Sequence, residues 1–309
     1  MHTIVMTGAT RGIGRAAAHE MLRADPELHL VAMSRSGSPG TDARQLDSGI
    51  GRTTTIDTDL ADIDSIRAAV HEVTRRLDDG SLPPLVGIVG NAGLQFVDAL
   101  HETVDGLEST FAVNVVANHL LLRGLLDHLS SPARIVITVS DTHFGDLRHN
   151  LGMVPAPRWS SPSVLSRPRA FDEPGTVRAG RRAYSTSKLA AIHLVHEWAR
   201  RLPEGVDIVA YNPSFVPGTG LVRAAGLRDR LISRWLLPAL AISPTIDRIS
   251  TAGKKLADVV LGQTRTASGA YVDRARMVAS SDESYDPDRE REMWDFLEGL
   301  VGARPTAPQ

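Results

Sequence analysis

Thr3-Ile4-Val5-Met6-Thr7-Gly8-Ala9-Thr10-Arg11-Gly12-Ile13-Gly14 governs how the rest of the chain is read. A β-branched, apolar run passes into three glycines, and an amphipathic stretch follows at once. That order is a strand, a tight turn and a helix start. Glycine allows a sharp turn and close backbone approach, and a helix N-terminus offers amide hydrogens and a positive dipole end to a pyrophosphate. A glycine cluster alone also fits an ordinary turn; its place between strand and helix favours dinucleotide binding.

Outward from this loop, short β-branched runs alternate with longer amphipathic stretches, the pattern of βαβ units. Strands are expected near 2–7, 28–33, 52–57, 85–90, 133–139, 206–211 and 269–272, and helices near 12–24, 61–78, 103–129, 181–201 and 245–261. The fold class is α/β: a Rossmann, doubly wound, parallel seven-stranded sheet with helices on both faces. A single domain is expected over residues 1–302, with a flexible tail at 303–309. Two segments interrupt the pattern. Residues 141–183 form a long insertion rich in Pro, Ser, Gly and Arg, and residues 214–244 read as a substrate lid. Both leave the carboxyl ends of strands, where open α/β sheets bind ligands.

Composition narrows the function. At 309 residues and 42% hydrophobic content the chain can bury a large core. A net charge of −2 points to neither nucleic acid nor an anionic membrane. The absence of cysteine removes disulfides, thiol nucleophiles and thiolate metal sites, and fits a reducing cytoplasm. The first strand starts almost at Met1, leaving no room for a signal peptide, and the apolar stretch near 231–242 is too short to span a bilayer.

The cofactor end can be read residue by residue. Gly8, Thr10, Arg11, Gly12, Ile13 and Gly14 form the phosphate loop. The second strand ends Met33-Ser34-Arg35, without a carboxylate for a ribose 2′-hydroxyl; Arg35 and Arg11 can instead neutralise a 2′-phosphate. NADP(H) is therefore preferred to NAD(H), although two solvated arginines would look the same. Asp59-Leu60 follows the third strand, where a carboxylate meets an adenine amino group or merely caps a helix. Asn91-Ala92-Gly93 closes the fourth strand with small residues, as close cofactor approach requires.

At the other end, Tyr184 and Lys188 stand four apart in Ala183-Tyr184-Ser185-Thr186-Ser187-Lys188, on one face of the expected helix. A phenol of pKa about 10 is a poor catalyst near neutrality, and a neighbouring ammonium favours phenolate. Ser140 ends a buried strand and can hydrogen-bond a substrate oxygen. Asn114 lies mid-helix, where propensity disfavours it. Either of these two can also be a satisfied structural group.

Together, Thr7–Gly14, Asn91-Ala92-Gly93, Asn114, Ser140 and Tyr184-x-x-x-Lys188 resemble the short-chain dehydrogenase/reductase family over residues 2–272. Phe111–Leu122 and Ser131–Val136 resemble its retinol-dehydrogenase and protochlorophyllide-reductase branch. The Ser140–Tyr184 gap, Gly218-Thr219-Gly220-Leu221 and Ser268-Gly269-Ala270-Tyr271 with an Arg289–Leu300 helix resemble the protochlorophyllide-reductase side more. The resemblance implies that Tyr184 is the general acid or base and that Lys188 tunes it, binds the nicotinamide ribose and relays protons through water near Asn114. Ser140 would position the carbonyl. Pro213, Phe215, Val216 and Thr219 would line the nicotinamide, with no metal required. Two departures stand out. After the sixth strand, Pro213-Ser214 replaces the usual Pro-Gly, and the threonine expected at the carboxamide falls on Gly218, with Thr219 one position later as its substitute. The cysteine that protochlorophyllide reductases carry in the active site is absent.

The implied function is NADP(H)-dependent reduction of a ketone or aldehyde on a bulky hydrophobic small molecule, or the reverse oxidation. The alternatives are a catalytically silent NADP(H) sensor and a protochlorophyllide-reductase-like C=C reductase. In the family, the helices near 103–129 and 181–201 often form a dimer interface, which the insertion can obstruct, so both homodimer and monomer are open. Seven arginines and no lysine lie within 141–183, either solvated or aimed at a ligand anion.

Overall fold

Alternation along the first strand sets the layers. In β1 (His2–Thr7), Ile4 and Met6 face one side of the sheet and Val5 the other. The computed structural model describes residues 1–35, 51–150, 152–214, 216, 222–223 and 247–302. Seven strands run parallel: β1, β2 (Leu28–Ser34), β3 (Thr53–Asp57), β4 (Leu85–Gly90), β5 (Leu129–Thr138), β6 (Val206–Asn212) and β7 (Tyr271–Asp273). An eighth, β8 (Arg276–Val278), turns back antiparallel on β7, giving the order β8-β7-β6-β5-β4-β1-β2-β3. The doubly wound sheet is the expected one, enlarged by this hairpin. The order reverses between β1 and β4, which opens a crevice at their carboxyl ends.

Helices cover both faces. α1 (Gly12–Ala24) and α8 (Ile249–Val260) pack on the Ile4/Met6 side through Ala17, Met21, Leu256 and Val260. α2 (Ile63–Asp78), α4 (Ala117–Leu125), α7 (Val177–Arg201) and α9 (Pro287–Gly302) cover the Val5 side, with Val73, Leu121, Ile192, Trp198 and Leu297 in the core. A short α3 (Ser109–Phe111) reaches α4 through a π-helical segment, Ala112–Val116. Two further short helices, α5 (Leu147–Asn150) and α6 (Pro162–Leu165), lie in the insertion.

Some boundaries differ from the sequence reading. α7 begins at Val177 rather than 181, so the last seven residues assigned to the insertion are helical, with Thr176 Oγ1 accepting from the Ala179 amide as the N-cap. α2 is capped by Asp62, whose side chain accepts from Asp64 N and Ser65 N, and not by Asp59. Most of the expected lid and the 303–309 tail lie outside the described residues; Val222–Arg223 pairs with Gln95–Phe96.

Candidate active site

The glycine loop closes on backbone. Gly8 adopts φ +70°, a conformation that disfavours side chains. A Cβ on Gly14 would stand 2.1 Å from Gly8 O and 2.4 Å from Asn91 Nδ2. Only hydrogen fits there. Asn91 Nδ2 donates to Gly8 O (3.3 Å), Ala92 N–H donates to Thr7 Oγ1 (3.0 Å) and Thr138 Oγ1 donates to Asn91 Oδ1 (3.4 Å), tying β1, β4 and β5 together at the crevice. Arg11 occupies the N-cap of α1 in extended conformation without a side-chain cap, and the first turn of that helix carries no carboxylate. The amides and positive end of α1 are thus left for an external anion. Thr10, Ile13 and Gly93 sit half-buried around this cradle.

Arg35 lies exposed just after β2. Asp59 is half-buried; its Oδ1 accepts from Ala61 N (3.0 Å) and its amide donates to Ser65 Oγ (2.9 Å). Leu60 packs against the core beside it. These residues suit a dinucleotide with its adenosine end toward β2 and β3.

Across the crevice, the residues singled out from sequence converge. Asn114 is buried in the π-helical segment: its Oδ1 accepts from Leu94 N (3.0 Å), and its Nδ2 donates to Leu94 O (3.1 Å) and Ser187 Oγ (2.9 Å). Ser187 in turn donates to Tyr184 O (2.7 Å), so the amide fixes the turn of α7 that carries Tyr184 and Lys188. Lys188 Nζ donates to Thr138 O (2.9 Å) and lies 5.6 Å from the centre of the Tyr184 ring. Burial draws its pKa down to about 8. Both side chains are buried. Burial pushes the Tyr184 phenol above the ordinary tyrosine range; a hydrogen bond with Ser140 opposes this and the Asp141 carboxylate adds to it. The nearby ammonium favours phenolate, yet desolvation prevails and holds the Tyr184 phenol protonated.

Ser140 Oγ accepts from Thr142 N (3.3 Å) and donates to Asp141 Oδ1 (3.3 Å). Asp141, not singled out from sequence, is half-buried near Ser140, Asp273 and His149, and its pKa rises to about 6, chiefly by desolvation. Its signal in the sequence was only its place after a strand-end serine. His143 plays a structural part: Nδ1 donates to Ser140 O (2.6 Å) and Nε2 accepts from Ser281 N (3.2 Å), a neutral tautomer whose pKa burial holds near 4. Trp159 packs edge-on against buried His193.

Beyond β6, Pro213 and Val216 are buried. Ser214 adopts φ +63°, the left-handed conformation that glycine would take, and Asn212 Oδ1 accepts from its amide (3.0 Å). Phe215 and Thr219 lie outside the described residues, as do the lid residues Leu221, Leu231, Trp235, Leu236 and Leu237. Among the described residues no group of three potential metal ligands occurs and no helix is long and apolar enough to cross a membrane.

Comparison with known proteins agrees with this architecture. The family model for short chain dehydrogenase matches residues 2–149. Protochlorophyllide reductase A, chloroplastic, of Oryza sativa subsp. japonica is 30% identical over 97% of this chain and 80% of its own. Protochlorophyllide reductase of Avena sativa is 29% identical over 97% and 99%. Among solved structures, NADPH-bound carbonyl reductase from chicken fatty liver superposes with a TM-score of 0.60 at 20% identity, covering 90% of this chain and 98% of that one. A landomycin C-6 ketoreductase with NADP and rabelomycin gives 0.61 at 18%, covering 89% and 94%. With that sheet order, the glycine loop and full-length relatives of this kind, the chain belongs to the short-chain dehydrogenase/reductase family, on its protochlorophyllide-reductase-like side.

Proposed function

We propose that the protein is an NADP(H)-dependent reductase of a carbonyl group on a bulky hydrophobic small molecule. The observation that carries this reading is the cluster of buried Tyr184 and Lys188 with half-buried Ser140, opposite a glycine cradle into which no side chain fits. The cradle Gly8, Thr10–Gly14 and Asn91–Gly93 would hold the pyrophosphate and ribose, Arg11 and Arg35 the 2′-phosphate, and Asp59-Leu60 the adenine. Pro213, Phe215, Val216 and Thr219 are assigned to the nicotinamide end. When bound, NADPH supplies hydride to the carbonyl carbon.

The chain's own groups handle the oxygen. Ser140 orients it and stabilises its developing charge. Tyr184, protonated at neutral pH by burial, gives up its proton to the oxygen. Lys188, one turn away, stabilises the resulting phenolate and is itself close to neutral pH in its titration. Asn114 acts as a positioning residue through Ser187.

NADPH oxidation at 340 nm against bulky aromatic and polyketide-like ketones, with NADH in parallel, tests the reading. Turnover confined to NADPH is the expected result; NADPH binding without any turnover would shift weight to a silent sensor. A second reading, C=C reduction on protochlorophyllide, is favoured by the sequence relatives, which are protochlorophyllide reductases. The lack of cysteine weighs against it, and an illuminated assay with protochlorophyllide separates the two.

The protein is proposed to act as a monomer. α9 lies over α7 and α4, the face that would otherwise pair: Trp294 stands 4.9 Å from Trp198 and 4.3 Å from the Arg201 guanidinium. A cytoplasmic location fits the cysteine-free composition.

A further inference from the structure

The N-terminal end of α7 breaks a local rule. Arg178, Arg181 and Arg182 fall in its first two turns, where the helix dipole disfavours cations, and the first turn carries no carboxylate. Nor do acidic side chains of the same segment come to them. Asp146 is bonded to His149, and Asp172 is paired with Arg158. Among the described residues, Arg178 has no hydrogen-bonding partner, Arg181 donates only to the Met153 carbonyl (2.7 Å), and Arg182 Nε is buried without one. Clustered cations at this end of a helix cost stability unless something negative meets them.

A cleft lies at the same place. It has a volume of about 430 Å³ and is lined by Gly152, Met153, Pro155, Val177, Arg178 and Arg181. That is the size of a small-molecule subsite, with apolar walls and two guanidinium groups. Tyr184 stands less than one helical turn beyond Arg181 on α7. Val177, Arg181, Tyr184 and Lys188 follow one another at i, i+4, i+7 and i+11, along one face of α7. The Met153–Pro155 wall is pinned to that helix by Arg181 and by Ser185, whose Oγ donates to Pro155 O (2.9 Å). Both arginines are exposed, so neither is needed to fill the core.

We propose that this cleft is the outer end of the substrate pocket and that Arg178 and Arg181 hold an anionic group, carboxylate or phosphate, on the far end of an apolar carbonyl substrate. It rests on the reading of Tyr184 as the proton donor. At about 1.5 Å of rise per residue, the two arginines start roughly 5 and 9 Å along α7 from Tyr184. The substrate therefore carries its charge about that far from the reacting carbonyl. Guanidinium suits both anions because its fork matches their paired oxygens.

The test uses the full chain saturated with NADP⁺ and a phenyl ketone bearing a six-methylene chain that ends in carboxylate, methyl ester or phosphate monoester. Calorimetry should give the carboxylate or the phosphate roughly tenfold tighter binding than the ester, with the better anion identifying the source. Combined Arg178→Ala and Arg181→Ala substitution should erase that preference, leave ester binding within about twofold, and leave the control Arg167→Ala unchanged. Equal affinity for acid, phosphate and ester, or a preference that survives the double substitution, would overturn the subsite. Turnover of the same ketones with NADPH is read separately. Selective binding without turnover would overturn the reductase reading and keep the subsite.

Discussion

At the glycine loop, backbone meets backbone: Gly14 faces Gly8 O, and Asn91 and Thr7 lock the neighbouring strand ends. Around Tyr184, side chains do the fixing, through Asn114, Ser187, Ser140 and the Thr138 carbonyl. The first arrangement tolerates almost no added atom but places no demand on acid–base chemistry. The second tolerates changes of shape but depends on where protons sit. In the function proposed above, one half would recognise a cofactor by close approach and the other would tune a reaction by burial.

Substitutions that strike one half and spare the other test this division. Tyr184→Phe should lower turnover by about 10²–10⁴-fold while NADPH affinity, followed by fluorescence titration, stays within about twofold. A variant that keeps full turnover would remove Tyr184 from the chemistry. Gly14→Ala should do the reverse: the new methyl meets a carbonyl, so NADPH binding should weaken by more than about tenfold and unfolding free energy fall by about 1–3 kcal/mol. Wild-type affinity in that variant would mean that the loop can relax. Arg35→Asp should weaken NADPH by roughly tenfold and leave NADH nearly unchanged.

Proton placement also predicts how stability follows pH. His119, His143 and His193 are held neutral by burial, at about 3, 4 and 4. Between about pH 4 and the unfolded value near 6.5 the unfolded chain binds more protons, so stability rises with pH over that window. Asp141 runs the other way: raised to about 6, it makes the folded state bind the extra proton, and its contribution declines as pH rises from about 4 to 6. Urea midpoints from pH 4.5 to 7.5 should therefore climb, and more steeply in Asp141→Asn. A variant with an unaltered slope would show that Asp141 is solvated. The smallest effect is reserved for Ser214→Gly. Relief of the left-handed conformation, worth roughly 1–2 kcal/mol, is partly offset by the greater freedom of glycine in the unfolded chain, so Tm should rise only slightly.

The same division explains what could be read from sequence. The strand–glycine–helix opening and Asn91-Ala92-Gly93 announce themselves, because backbone geometry demands particular small residues at particular spacings. The seven parallel strands follow from β-branched runs. The start of α7 was less legible: Gly180 and three early arginines are poor helix-opening signals, and the Thr176 cap lies within a turn-rich segment. Asp141 was barely legible, since its raised proton affinity comes chiefly from burial and then from Asp273, distant in the chain, against the opposing hydrogen bond of its neighbour Ser140. His143 likewise takes its tautomer from Ser281, far away in sequence.

α9 carries one more consequence. The helix bearing Tyr184 is braced from behind by Trp294 and by Glu290, which meets His196 (2.8 Å) and Arg200 (2.5 Å) on its far turns. A brace supplied by a second subunit would come away as the protein is diluted. Here it is tethered to what it supports, at an effective concentration that dilution cannot change. As the proposed monomer, the protein should keep the same specific activity in a crowded cell and in a cuvette at nanomolar enzyme.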